Sequence, residues 1–137
     1  MSGYEYTVSR VVDAPVEKVW QVWTQPEHYA GVFHAVPGSA ELDVRPGGSW
    51  RVTMVIPDGT EVPMSGGFGD VVPNKRLVTT MDIPGREPTE MVMDLKDRSG
   101  RTEVVLSQTC DTAEERDTSK EGSEVLLAWC ADYLATI

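Results

Sequence analysis

Basic residues, histidine, cysteine and long apolar runs are all scarce in this sequence, and each scarcity excludes a class of function. Twelve Lys and Arg stand against 22 Asp and Glu, a formal net charge of -10. A surface of that sign repels phosphate backbones and anionic lipid, so nucleic acid and membrane are not expected partners. The two histidines, His28 and His34, and the two cysteines, Cys110 and Cys130, form no CxxC or Cys/His cluster. A zinc site has almost no ligands available, and no metal is expected. The cysteines read as buried thiols acting as small hydrophobes. No apolar run approaches the length of a transmembrane helix, and Met1-Ser2-Gly3-Tyr4-Glu5 lacks the basic-then-apolar layout of a signal peptide. A cytoplasmic protein without membrane insertion is expected. Repeats, low-complexity tracts and linkers are also missing, so residues 1–137 are expected to form one domain.

Motifs for nucleophilic or phosphate chemistry are lacking too. Ser65 lies in Pro63-Met64-Ser65-Gly66-Gly67, which is not Gly-x-Ser-x-Gly. The run Gly66-Gly67-Phe68-Gly69 has neither the lysine nor the helix start of a phosphate loop, and no cofactor is expected.

What is present is strong punctuation. Tyr4–Val12 alternates and predicts a first strand, stopped by Asp13-Ala14-Pro15. Pro15 suits the first helical position, and Val16, Val19, Trp20 and Trp23 recur at helical spacing after it. Thr24-Gln25-Pro26-Glu27 has a capping-box pattern and predicts a second short helix to about Ala30. Six strands are then expected, at 40–44, 49–56, 61–72, 76–83, 89–96 and 103–109. They are separated by Pro/Gly/Asn turn groups such as Pro46-Gly47-Gly48, Pro73-Asn74-Lys75 and Arg98-Ser99-Gly100. Short connections of this kind describe an antiparallel meander. Glycines at 66, 67 and 69 predict a bulge or bend. Thr112-Ala113-Glu114-Glu115 is a candidate cap for a long terminal helix. Val125, Leu126, Trp129, Cys130, Tyr133, Leu134 and Ile137 are read as its apolar face.

Continued upstream, the face of Leu126, Trp129 and Tyr133 carries only Gly122, Ser119 and Ser123. Interiors do not tolerate large voids, so small residues opposite a sheet imply a cavity there, with closed core around Trp129 and Tyr133. Strand parity supplies the other wall: Trp50, Met54, Met64, Phe68, Met81 and Met93, with Met91 and Gln108 on the same face. Every methionine except Met1 lies in the sheet, and methionine-rich walls adapt to variable apolar shapes, although such stripes also fill ordinary cores.

Several segments occur in a distinctive order: Arg10-Val11-Val12-Asp13-Ala14-Pro15, Val19-Trp20 through Trp23-Thr24-Gln25-Pro26-Glu27-His28, and Leu42-Asp43-Val44-Arg45-Pro46-Gly47-Gly48-Ser49-Trp50. Pro57-Asp58-Gly59-Thr60, Ser65-Gly66, Pro73-Asn74-Lys75-Arg76-Leu77-Val78 and Tyr133-Leu134 follow. The set resembles the bacterial branch of the activator-of-Hsp90-ATPase-homologue family, within the START/Bet v 1-like superfamily. The resemblance implies an α+β helix-grip fold: a curved antiparallel sheet of about seven strands around a long C-terminal helix, with two short helices after strand 1. It implies that lipid and hormone carriage, polyketide cyclisation and related activities use one central cavity, so the fold does not select among them. Where such sequences often carry a Trp-rich or Trp-Gly step, Tyr29-Ala30-Gly31-Val32-Phe33-His34 stands instead.

The function expected is binding or carriage of a small hydrophobic or aromatic molecule. Its expected lining is Phe33, His34, Trp50, Met54, Met64, Phe68, Met81, Met93, Ser119, Ser123, Leu126 and Trp129. One alternative is a cofactor-free enzyme of cyclase, dehydratase or hydrolase type. Its catalytic candidate is His34, with Gln108 or Asp70 as partner, since histidine titrates near neutrality. Another is a chaperone-interacting module, which needs an exposed apolar patch. A monomer or homodimer is expected.

Overall fold

Among the described residues, seven strands, two short helices and one long helix follow the order expected from the turn signals. The computed structural model describes residues 3–32, 34–36, 38–55, 58–82 and 89–137. Strand β1 (Tyr4–Val12) leads into α1 (Val16–Thr24) and α2 (Pro26–Val32). Then come β2 (Glu41–Leu42), β3 (Ser49–Val55), β4 (Glu61–Val72), β5 (Arg76–Met81), β6 (Thr89–Arg98), β7 (Arg101–Cys110) and α3 (Ala113–Leu134). One antiparallel sheet runs β1-β7-β6-β5-β4-β3-β2. The meander from β2 to β7 needs only local pairings, and the single long-range pairing is β1 with β7, from Tyr4↔Cys110 to Val12↔Thr102. The fold is an α+β helix-grip.

Local chemistry explains the boundaries, including those that differ from expectation. The β6–β7 hairpin turns on two residues with positive φ, Ser99 (57°) and Gly100 (91°). Such a turn matches the strand twist, so pairing continues to Arg98↔Arg101, beyond the expected ends at Lys96 and Glu103. Strand β2 is shorter than expected because the chain after Asp43 folds back on itself, Arg45 N–H donating to the Asp43 carbonyl and Gly48 N–H to that of Arg45. Pro15 is the N-cap of α1, not its first helical residue: its ψ of 159° is extended while its carbonyl accepts from Lys18 and Val19. Thr24 caps nothing downstream; its hydroxyl donates to the Trp20 carbonyl at 2.7 Å inside α1. Thr112 does cap α3, its Oγ1 accepting from the Glu115 N–H at 3.1 Å.

The glycine-rich part of β4 performs two tasks. Register shifts between Phe68 and Val71, a bulge that curves the sheet. At Gly66 the Trp50 indole crosses the strand, and its Nε1 donates to the Thr80 carbonyl at 2.9 Å. A Cβ on Gly66 would overlap that carbonyl and stand 2.8 Å from the Trp50 nitrogen.

Curvature lets the sheet wrap α3. The buried stripe of α3 is Ser123, Leu127, Cys130 and Leu134, spaced 4, 3 and 4. Leu127 escaped the sequence reading, while Val125 and Ile137, expected on the apolar face, are exposed. The core row facing this stripe runs Val8–Leu106–Met93–Leu77 across four strands, each residue at most 9 % exposed. Val19, Val22 and Trp23 of α1 close the same core cluster.

Candidate functional site

One cross-strand row from that core, the packing changes character. The neighbouring row runs Tyr6–Gln108–Met91–Thr79–Phe68, and a second runs Trp50–Gly66–Met81–Thr89 toward the meander's open side. Opposite them α3 presents Glu115, Ser119, Gly122 and Ser123. Small side chains on the helix leave a gap that the sheet's side chains do not fill. The result is a cavity of about 560 Å³ between α3 and the concave face. Met54, Met64, Met81 and Met91 form its sheet wall together with Trp50, Thr79 and Thr89. Leu126 and Trp129 bound it from α3, and Tyr29 bounds it from α2. Exposed Val125 and Gly122 at its helix side show that it communicates with solvent.

The structure brings Trp50, Met54, Met64, Met81, Ser119, Ser123, Leu126 and Trp129 around this one space. Three other expected lining residues are placed elsewhere. Met93 is 1 % exposed in the core row between Leu77 and Leu106, although it shares its strand face with Met91. Phe68 ends the lining row at the bulge and is buried in the core cluster. His34 does not line the space either. It is exposed, has φ of 52°, and stacks on Trp129 with ring centroids 4.3 Å apart. Phe33 lies outside the described residues. The expected closed core at Trp129 and Tyr133 is rotated by one position: Leu127, Cys130 and Leu134 are closed, whereas Trp129 borders the cavity. Tyr133 is half-buried, its hydroxyl 2.7 Å from His28 Nδ1 and its ring against Gly31.

The proposed partners of His34 are also separated from it. Asp70 is an exposed carboxylate 4.0 Å from the Arg76 guanidinium, and among the described contacts none joins it to His34. Gln108 belongs to a different constellation, which the sequence reading did not contain. Tyr6 on β1 donates its hydroxyl proton to Gln108 Oε1 at 2.7 Å, and the same hydroxyl is 2.7 Å from Ser123 Oγ. Strand β1, strand β7 and helix α3 thus meet at one polar corner of an apolar space. Alternation along β1 puts Tyr6 on the inward face with Val8 and Val12, which was the available signal. Burial pushes the Tyr6 phenol above its usual range, against the opposing hydrogen bond from Ser123. Tyr29, packed 6.2 Å from Trp50, is raised further by burial alone. Both phenols therefore stay protonated through neutral pH.

Two other depressions lie along the β2–β3–β4 edge and are walled by exposed polar groups, including the Glu41–Arg51 ion pair, Ser65 and Asp82. Among the described residues no group of three or more His, Cys, Asp and Glu could hold a metal. None of the described helices is long and apolar enough to cross a membrane.

The family model of the activator of Hsp90 ATPase homolog 1-like proteins matches residues 13–136. No curated protein matches the sequence. Among solved structures, an AHSA1-like protein from Aeromonas hydrophila superposes with a TM-score of 0.81 at 20% identity, covering 97% of this chain and 93% of that one. A protein from Nitrosomonas europaea gives 0.79 at 23% identity, with 96% and 94% covered. One from Rhizobium leguminosarum gives 0.78 at 22% identity, with 99% and 97% covered. At these identities the likeness is one of fold, and it extends over nearly the whole chain.

Proposed function

Because the chain belongs to the activator of Hsp90 ATPase homolog 1-like family, whose fold does not specify one activity, we propose a function from its own cavity: it binds a small, mostly apolar molecule between α3 and the sheet. The observation that carries this reading is the 560 Å³ space walled by four methionines, two tryptophans and a leucine beside an otherwise closed core. Its volume falls within the range of ordinary ligand pockets, and thioether walls adjust to differing shapes at small cost. Burying roughly 250 Å² of ligand surface at about 25 cal/mol per Å² contributes about 6 kcal/mol before association costs, which limits burial alone to a Kd no tighter than some tens of micromolar.

Binding is favoured over catalysis by the positions of the titratable groups. His34 stacks on Trp129 without bordering the space, and the ionisable residues that border it among the described ones are Tyr29 and Glu115. A chaperone-docking role has less support, because the exposed large hydrophobics among the described residues are dispersed over β1, β3, β4, α3 and the Ile137 that follows it.

The test is fluorescence of N-phenyl-1-naphthylamine titrated with the protein. Enhancement with micromolar affinity is expected, and Ser119→Trp, which fills the space from α3, should abolish it without lowering the thermal midpoint. Absence of enhancement, or unchanged binding by the Ser119→Trp variant, would sink the proposal.

A further inference from the structure

The described methionines occupy two chemically different settings on one face of the sheet. Met93 is 1 % exposed, enclosed between its cross-strand neighbours Leu77 and Leu106 in the core row. Met54, Met64, Met81 and Met91 are half-buried and line the cavity. Register makes these four a continuous strip. Met54 lies opposite Val62, two residues before Met64. Met81 lies opposite Gly66, two residues after Met64, and on its other side opposite Thr89, two residues before Met91. Each methionine is therefore the diagonal neighbour of the next across β3, β4, β5 and β6, roughly 7–8 Å away and within reach of a long side chain.

Thiolates are ordinarily the first soft nucleophiles to meet an oxidant, but neither cysteine competes here. Cys110 and Cys130 are both buried, and burial pushes the Cys130 thiol up to about 11, so it stays protonated. Among the described residues, the soft sulfur that solvent can reach is thus concentrated in the cavity wall.

We propose that Met54, Met64, Met81 and Met91 constitute an oxidation site for hydroperoxides, and that their sulfoxides close the cavity to apolar occupants. In each step the thioether sulfur attacks one peroxide oxygen and the O–O bond breaks. The proton on the transferred oxygen passes to the departing one, so one thioether and one hydrogen peroxide give one sulfoxide and one water. Sulfur loses two electrons and the peroxide gains them. The loss of binding rests on the function proposed above. Each sulfoxide puts a strong acceptor into the wall, and an apolar molecule seated against it offers that acceptor no donor. Met93, where the same dipole would enter the closed core, is shielded, so the fold outlasts the modification.

The test exposes the intact folded chain to hydrogen peroxide, follows each methionine by peptide mass spectrometry, and titrates the product with N-phenyl-1-naphthylamine. Met54, Met64, Met81 and Met91 should each oxidise about tenfold faster than Met93 or more, whereas in concentrated urea all five should react alike. Once the four are oxidised, probe affinity should fall about tenfold or more while thermal unfolding stays cooperative. A Met54→Leu/Met64→Leu/Met81→Leu/Met91→Leu variant, whatever its own affinity for the probe, should show the same affinity before and after peroxide. The proposal is overturned if any of the four reacts as slowly as Met93, or if their oxidation leaves the wild-type affinity unchanged. The wild-type measurements alone decide should the variant fail to fold. An untreated chain that does not bind the probe refutes the cavity function instead, and the ranking of the five methionines then decides the oxidation site by itself.

Discussion

Removing one oxygen atom from Tyr6 should measurably loosen the contact between the terminal helix and the sheet edge. The side chain is 6 % exposed, and its hydroxyl joins Gln108 on β7 to Ser123 on α3 through two 2.7 Å contacts. Tyr6→Phe keeps the ring and its packing, so the cost is confined to hydrogen bonding. Each such bond is worth about 1 kcal/mol net, and a partner left unsatisfied when buried costs more. Two effects hold the sum down. Gln108 borders the cavity, where water can replace the lost donor, and a helical serine can turn its proton to the carbonyl four residues back. The expected loss is therefore about 2 kcal/mol. With about 2.1 cal/mol/K of unfolding entropy per residue over 137 residues, that lowers the thermal midpoint by roughly 7 °C. Calorimetry and urea unfolding should agree on this figure. The decisive control is the same substitution in a Gln108→Leu/Ser123→Ala background, where no polar partner remains and the cost should fall to near zero. A midpoint shift below about 2 °C in the single variant, or an equal cost in both backgrounds, would refute the argument that this trio fastens α3 to β1 and β7.

Other perturbations test other parts of the structure. Gly66→Ala places a Cβ into the Thr80 carbonyl and 2.8 Å from Trp50 Nε1, so it should cost more than about 3 kcal/mol, read as a large drop in urea midpoint. Gly122→Ala on α3 meets nothing within 4 Å and should stabilise by about 0.5–1 kcal/mol through helix propensity, a rise of a few degrees in midpoint. Burial raises the Cys130 thiol to about 11 from 9.0, partly offset by its hydrogen bond with Trp23. The folded state thus holds this proton more tightly than the unfolded chain. The resulting stability is complete below pH 9 and is lost as pH rises from 9 toward about 11, amounting to about 2–3 kcal/mol. Cys130→Ala should flatten that alkaline slope in urea-unfolding series, whatever it does to stability at neutral pH; an unchanged slope would contradict the assignment.

How far residues alone could be read is clearest where local and distant influences separate. Strand limits at 4–12 and 61–72 follow from period-two alternation broken by proline and glycine, and both are rules of neighbouring residues. The Thr112 cap, the bulge among the β4 glycines and the six-stranded meander from β2 to β7 are of the same kind. Parity named the concave face correctly as a face, for Met91 and Met93 alike. It could not say that Met91 pairs with Thr79 and Gln108 beside a space while Met93 pairs with Leu77 and Leu106 in the core. Alternation determines direction, whereas depth depends on which row of the sheet the helix covers. Helical periodicity likewise proposed an apolar side for α3 that includes the buried Cys130 and Leu134 but took Leu126 in place of Leu127, because these two differ by a rotation that only the docked sheet resolves. The polar corner was beyond reach for the same reason. Tyr6, Gln108 and Ser123 lie 102 and 117 residues apart along the chain, and no local rule links them. Sequence by itself determined the elements, their order and the small residues of the helix that leave room. Tertiary structure decided which side chains share that room and which way its one amide points, since both depend on the closing of β1 onto β7 beneath α3.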